Sequence, residues 1–534
     1  AILISAVNAL TLSPALCAIF LKPHKDSKKE KKGLMSRFFI AFNAAFEATT
    51  HKYVKSLGFL IKHKWITFVL IALAVVGILW ANKTTPSGFV PTEDRAIVFM
   101  NMELPRGASL DRTYAITQKL YEEIGSIKGI RTASIISGRN FFSGAGSSYG
   151  MGFIILDDWD KRETDDTSVD AIVGQLFAKA TTIPDAKIVF FTPPSIPGFG
   201  SVEGFEMNLL DRASGSLKNL DNVANEFVGA LSQRPEIGFA SNSFSTDFPQ
   251  LQMDIDIPKA MEAGVSVRNI LSTLQGYIGG FYAADFSRFG KQFRVFVQAQ
   301  PDNRKDIASL NSMFVKNNKG EMAPVSSFVT LKRVYGPQTV NRFNLFNAVT
   351  VNGTAAPGFS SGDAIKAVQE VAKTDLPNNY EVAFSGITRE EIASSGQAGI
   401  IFMLSILFVY FFLAAQYESY LLPFSVLLSL PIGVSGAYLF TKFSGLENNI
   451  YFQIALIMLI GLLAKNAILI VEFAIQRRQH GLPLSKAAIQ GAKVRLRPIL
   501  MTSFAFIFGL MPLVLAKGVG AAGNRAIGTG AVGG

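Results

Sequence analysis

Cysteine is almost absent. Cys17 is the one thiol in 534 residues, so no disulfide can form within the chain, and in its apolar surroundings it reads as a small buried residue. Histidine is nearly as scarce: four residues, at 24, 51, 63 and 480, all in or beside two basic stretches and none in the long polar region 88–392. A Cys/His metal cluster is therefore not encoded, and nothing calls for a cofactor. No glycine-rich phosphate loop is present, which speaks against an ATP-driven pump. Charge is also sparse, at 17% of residues against 49% hydrophobic. That is too apolar for an average soluble protein, and the apolar residues come in blocks. No soluble catalytic constellation stands out, so the chain is not read as an enzyme; the adjacent Glu390 and Glu391 read as a solvated helix start.

The blocks have the length of membrane spans, which require about 20 apolar residues. They cover 1–21, 65–81, 398–415, 421–440, 450–474 and 498–516, and the Gly/Ala-rich 517–534 leads toward another. Trp65 and Trp80 flank the second, as interfacial aromatics do. The first residue is an alanine inside an apolar run with no basic region before it. This does not read as a signal peptide but as a fragment that begins within a span.

The net charge of +11 is local. Residues 22–64 carry eleven Lys/Arg against three acids, and residues 475–497 carry six and none. Basic loops beside spans mark the cytoplasmic side, so this is a topology signal rather than a nucleic-acid footprint. A polybasic lipid-binding segment at Lys22–Lys32 is the alternative. Phe38, Phe39, Phe42 and Phe46 recur at roughly helical spacing, predicting an amphipathic helix along the membrane surface. Both loops agree on one orientation, with 88–392 outside.

That outer region has short alternating runs punctuated by Gly and Pro. Strand-helix-strand sets are predicted at 97–137, 152–191, 205–244 and 340–385, with further strands at 251–257 and 292–300. The expected fold is an α+β multi-pass membrane protein: a transmembrane helix bundle plus a large external domain of ferredoxin-like β-α-β subdomains.

The sharpest feature is Lys465 with Asn466, inside the span 450–474. A cation there costs roughly 2.5–3.5 kcal/mol on insertion scales. Glu472 is two turns away and a poor partner, so a carboxylate from outside this chain is expected to complete the pair. Thr502 and Ser503 in the following span suggest a polar seam between helices. Such a pair can bind and release a proton and so couple proton flow to motion. Arg495 and Arg497 stand at the cytoplasmic mouth of that following span.

The stretches GLLAKNAILIVEFA at 461–474, RLRPILMTS at 495–503, LTLSPALCAIFLKP at 10–23 and LPFS at 422–425 resemble the resistance–nodulation–division multidrug efflux pumps, hydrophobe/amphiphile branch. The resemblance covers essentially the whole chain and implies the C-terminal half of such a pump. The first stretch then corresponds to the sixth span and the later ones to the seventh to eleventh. A truncated twelfth follows. It implies that Lys465, with Asn466 beside it, and Thr502 and Arg495 form a proton relay serving an aspartate pair in the fourth span, outside this chain. It makes 88–392 the periplasmic porter and docking domains. Phe141, Phe142 and Phe153 then fall in a deep substrate pocket, and Phe205, Met207, Leu209 and Arg288 along a proximal one. Phe and Met suit varied amphiphiles because they give deformable apolar contact. Arg139 and Asn140 depart from the more aromatic loop of the family.

The resemblance further implies proton-driven export of hydrophobic and amphiphilic drugs, dyes and detergents from a bacterial inner membrane. It implies a homotrimer docked to a periplasmic adaptor and an outer-membrane channel. Two alternatives remain: a heavy-metal exporter of the same superfamily, which would cluster Met or acidic ligands, and a non-transporting membrane receptor or scaffold. Met102, Met151, Met207 and Met253 are scattered in sequence.

Overall fold

The computed structural model describes residues 2–20, 34–162, 164–200, 202–395 and 397–534. The Lys22–Lys32 segment lies outside them. Two compact units are formed, by residues 1–72 with 465–504 and by residues 73–464 with 505–534.

Among the described residues, five helices are long and apolar enough to cross a membrane: Lys64–Thr84, Gln397–Tyr417, Leu422–Phe443, Ile450–Gln479 and Leu484–Val514. The third is interrupted. It runs as Leu422–Leu427 and Leu430–Phe443, with a proline in the first turn of each piece. A ring nitrogen cannot donate to the preceding turn, which explains the break at Pro431.

The basic stretch 475–497, expected as a loop, is mostly helical. Ile450–Gln479 continues well past the apolar run, a tight turn includes Gly481 at φ +87°, and Leu484–Val514 begins one residue after Pro483. Lys, Arg, Gln and Ala are strong helix formers, so the periodicity outlasts the apolar composition. Pro498, expected at a helix start, is interior to Leu484–Val514. Spanning helices tolerate such a proline because neighbouring groups satisfy the freed carbonyl.

In the first unit, Leu34–Lys62 is one long helix with Phe38, Phe39 and Phe42 exposed. Arg497 fastens it: its Nη2 donates to Asn43 Oδ1 at 3.3 Å, and its guanidinium lies 5.4 Å from the Phe46 ring. Cys17, expected buried, is exposed on Leu12–Phe20, a helix with no buried side chain among the described residues. An apolar face meant for lipid needs no protein cover.

In the second unit, Ala81, Val434, Ala437, Tyr438, Phe452, Leu456 and Leu459 form the core of the helix bundle. Lys442 stacks its ammonium 3.6 Å from the Trp80 ring centre and donates to Thr84 Oγ1.

The β-rich region belongs to this second unit. Strands β1 (Ile97–Glu103), β2 (Ile130–Asn140), β3 (Gly144–Leu156) and β4 (Lys187–Phe191) form an antiparallel sheet in the order β2-β3-β1-β4. Helices Leu110–Ile124 and Val169–Ala180 cover one face. Ser109 and Ser168 cap them, each accepting an N–H of the first turn, worth about 1 kcal/mol apiece. Strand alternation sends Val98, Met100 and Met102 into the core beneath those helices. Phe99, Asn101 and Glu103 take the opposite face.

β5 (Phe205–Asp211) and β6 (Ile237–Asn242) open a second sheet, which is interrupted by an insertion. The insertion pairs β7 (Phe248–Ile255) with a later strand and carries an exposed hairpin, β8 (Phe281–Arg288) and β9 (Lys291–Val297). It continues with the small pair β10 (Phe314–Lys316) and β11 (Met322–Pro324) and closes with β12 (Val329–Gly336), the partner of β7. β13 (Asn341–Phe343), β14 (Phe346–Ala355) and β15 (Tyr380–Phe384) complete the second sheet; β14 pairs with β6 and β5, and β5 pairs with β15. The strand order of the first sheet is thus repeated, with Leu217–Ser232 and Ser361–Asp375 as its helices.

Candidate functional site

The uncovered face of the first sheet carries five phenylalanines. Phe141 stacks on Phe99 with ring centres 4.9 Å apart, and meets Phe153 and Phe191 edge-on at 5.4 and 5.7 Å. Phe142 tilts against Phe191 at 5.4 Å. Offset and edge-on pairs of this kind contribute about 0.5–1.5 kcal/mol each beyond simple burial.

Phe141 and Phe142 sit on the turn between β2 and β3, and that turn is fastened by two asparagines. Buried Asn140 accepts the N–H groups of Phe142 (2.7 Å) and Ser143 (3.1 Å) through Oδ1 and donates through Nδ2 to Glu103 Oε1 at 2.8 Å. Asn101 Oδ1 accepts the Phe141 N–H at 3.2 Å. Gly144, at φ +81°, closes the turn. Asn140, a departure from the more aromatic loop of the family, is thus the residue that fixes the aromatic turn. Arg139 beside it is exposed.

Phe141 and Phe142 border a cleft of about 870 Å³ between the two sheets, while Phe99, Phe153 and Phe191 pack against Phe141 without lining it. Glu103, Arg106, Phe141, Phe142 and Tyr149 line one side, and Glu206, Phe244, Asp247, Thr350 and Asn352 line the other. Arg106 spans the rim to Asp247 at 3.5 Å, and the Tyr149 hydroxyl donates to Gln338 Oε1 at 3.2 Å. Burial pushes the Tyr149 phenol up, keeping it a neutral donor at physiological pH. The cleft therefore combines an aromatic patch, Phe141, Phe142 and Phe244, with a larger set of charged and polar groups.

Not every expected pocket residue reaches it. Phe205, Met207 and Leu209 are essentially fully buried beneath the helices of the second sheet. They are core residues, and it is their neighbour Glu206, one step along the strand, that lines the cleft. Arg288 ends β8 on the exposed hairpin, with its guanidinium 4.9 Å from the Phe289 ring, and is not part of the cleft. Phe99 and Phe191 were missed by sequence reasoning. The alternation of Phe99 with Asn101 and Glu103 is the signal that could have found the first.

The membrane residues lie on two adjacent helices. Lys465 and Asn466 are on Ile450–Gln479; Arg495 and Thr502 are on Leu484–Val514. These helices run antiparallel and touch where the Arg495 guanidinium lies 3.9 Å from the Phe473 ring centre. Gly491 permits the approach: a Cβ there would stand 3.0 Å from Ala474 N and 3.1 Å from Ile470 O. Lys465 lies eight residues from Phe473, and Thr502 seven from Arg495, along their helices. No direct bond joins Lys465 to Thr502. Thr502 donates to Ile499 O of its own helix at 2.9 Å, and among the described residues Lys465 has no hydrogen-bond or ion-pair partner. Arg495 Nε is buried without a hydrogen bond among the described residues.

A further acidic site corrects the reading of Glu391 as solvated. Glu390 is exposed, but Glu391 is largely buried and accepts from Ser361 Oγ at 2.8 Å. Burial first, and the nearby Glu447 carboxylate second, push its carboxyl up to about 7, against the pull of the Ser361 bond. Glu447 is itself raised by burial and by Asp363.

Sequence comparison places this arrangement. The profile described as the AcrB/AcrD/AcrF family matches residues 1–534. The multidrug/solvent efflux pump membrane transporter MepB of Pseudomonas putida is 37% identical over 99% of this chain and 50% of its own length. The toluene efflux pump membrane transporter TtgB, also of Pseudomonas putida, shows the same identity and coverage. The multidrug resistance protein MdtF of Escherichia coli is 36% identical over all of this chain and 51% of its own length. The chain spans about half the length of these curated relatives. On these matches the chain belongs to the AcrB/AcrD/AcrF family of resistance–nodulation–division efflux transporters.

Proposed function

We propose that the protein exports hydrophobic and amphiphilic compounds by proton antiport, as the inner-membrane component of a tripartite pump. It acts as a secondary transporter rather than an enzyme. The observation that carries this reading is the aromatic cleft: a cluster of five phenylalanines, of which Phe141 and Phe142 line a space of about 870 Å³, large enough for a drug-sized amphiphile. Deformable apolar contact at the aromatic side of the cleft favours breadth over selectivity. The relatives' names, multidrug, solvent and toluene efflux, support the same substrate range.

In this reading the β-rich region is periplasmic and its two repeated strand orders are ferredoxin-like porter subdomains. Lys465, Asn466, Arg495 and Thr502 form the lysine side of a proton relay whose carboxylates come from sequence beyond this chain. A lysine on an apolar helix, without a partner among the described residues, is the support for that assignment. Assembly as a homotrimer with a periplasmic adaptor and an outer-membrane channel follows from the family. The test is gradient-driven export of a lipophilic dye by the intact protein in vesicles. Export should stop when a protonophore collapses the gradient, and Phe141→Ala with Phe153→Ala should weaken dye binding several-fold. Dye binding without gradient-dependent export would instead favour a receptor or scaffold.

The heavy-metal alternative gains no support. Met102, Met207 and Met253 belong to three different cores. Among the described residues, no group of three or more His, Cys, Asp or Glu is arranged to hold a metal ion.

A further inference from the structure

If the cleft opens and closes under the control of the membrane helices, some contact must carry their displacement to β1, the central strand beneath the aromatic wall. The helix Ala521–Gly533 is closely seated in the bundle, with Gly523, Ala526, Gly528, Thr529, Gly530 and Ala531 buried. Glycines bring it against its neighbours: a Cβ at Gly523 would stand 3.0 Å from the Tyr451 ring, one at Gly528 2.9 Å from Val514 N, and one at Gly530 2.8 Å from the Phe452 ring. Tyr451 and Phe452 open the same helix that carries Lys465 further along. A shift of that helix is therefore felt by the last one.

The upper end of the last helix is held from the β-rich region. Gly520, at φ +76°, donates its N–H to Glu93 Oε2 at 3.0 Å. Two residues earlier, Gly518 lies under the Trp159 ring, so that a Cβ there would meet it at 3.6 Å. Glu93 is itself locked in place. Its own N–H donates to Glu203 Oε1 at 3.3 Å, and Glu203 also accepts from Thr192 (2.5 Å) and Ser195 (3.0 Å). Next to Glu93, Asp94 pairs with the buried guanidinium of Arg162 at 2.8 Å and accepts the Trp159 indole N–H through its carbonyl at 3.1 Å. Three residues on, β1 begins; it carries Glu103 to the cleft, and its Phe99 and Asn101 hold Phe141, which lines the cleft. The segment before β1 is thus rigid, and β1 is hydrogen-bonded on both sides.

We propose that Glu93 is a positioning residue for transport. Its carboxylate grips the Gly520 N–H and couples the helix Ala521–Gly533, packed on the spanning helices, through β1 to the aromatic cleft. This rests on the transport reading. The bond itself needs only an acceptor that reaches as far as a glutamate oxygen. Glu93→Gln keeps an acceptor at that reach, Glu93→Asp keeps the charge but falls one methylene short, and Glu93→Ala removes both.

Three measurements on the intact protein separate the possibilities: equilibrium dye binding by fluorescence anisotropy, gradient-driven dye export, and hydrogen exchange at the Gly520 amide. Glu93→Ala and Glu93→Asp should bind dye within two-fold of the parent, lower the maximal export rate about ten-fold at unchanged KM, and speed exchange at Gly520. Glu93→Gln should retain most export and most protection. Parental export by both Glu93→Ala and Glu93→Asp overturns the proposal. So does loss of dye binding in step with export, which would mark a merely structural role, or a Glu93→Gln variant as impaired as Glu93→Asp. Failure of the parent to export sinks the transport reading instead, while exchange at Gly520 still reports whether the grip exists.

Discussion

Asn140 shows how much a single side chain can organise. It satisfies two turn amides and one carboxylate at once. Asn140→Ala strands those groups, and each buried polar group left unpaired costs about 1–3 kcal/mol. The variant should lower unfolding stability by roughly that amount and weaken dye binding several-fold, read by thermal unfolding and anisotropy. Phe205→Ala provides the contrast. It empties a core position, so it should cost about 3–5 kcal/mol while leaving dye selectivity unchanged in whatever protein folds. A changed dye spectrum at parental stability would return Phe205 to the pocket. At this scale the sequence was half legible. Phe141, Phe142 and Phe153 stand in the aromatic cluster, but which face of β5 is buried depends on partners far away in the chain. Sequence proximity could not separate Met207 from Glu206. Asn140 was noticed only as a departure, because its three bonds exist only once the turn is closed.

Elements were read well where period and composition agreed, as for β1 and the helix Leu217–Ser232. They were misread where composition changed along a continuous helix. The charged ends of Ile450–Gln479 and Leu484–Val514 looked like a loop because hydropathy marks the bilayer and not the end of the helix. The exposed hairpin of β8 and β9 was seen only in its second strand. The junction of Ser361–Asp375 with Gly386–Ser395 gives a pH prediction. Glu391 holds its proton in the folded state up to about 7, well above the ordinary 4.5. The raised value means the folded state binds a proton that the unfolded chain has already released, so stability falls as pH rises from about 4.5 to about 7, by roughly 3 kcal/mol. Glu391→Gln should flatten that dependence and be the more stable form at pH 8. Thermal unfolding across pH 4–8 is the check, and a slope unchanged by Glu391→Gln would show that Glu391 titrates alike in the folded and unfolded chain.

At the scale of the whole molecule, a β-rich region with an aromatic cleft and a set of spanning helices carrying a lysine in an apolar run belong to one chain. In the proposed function, proton binding near Lys465 drives the cleft. The lysine was legible from sequence because a charge in an apolar helix is anomalous without any structure. The cleft was legible only in outline, because it lies between two sheets, the second of which has its strands separated by the insertion. The most direct test is export of a lipophilic dye by the intact protein in vesicles under an imposed pH gradient, comparing the parent with Lys465→Ala. The account predicts that Lys465→Ala still binds dye with parental affinity but exports none above the gradient-free background. Undiminished gradient-dependent export by Lys465→Ala would contradict it.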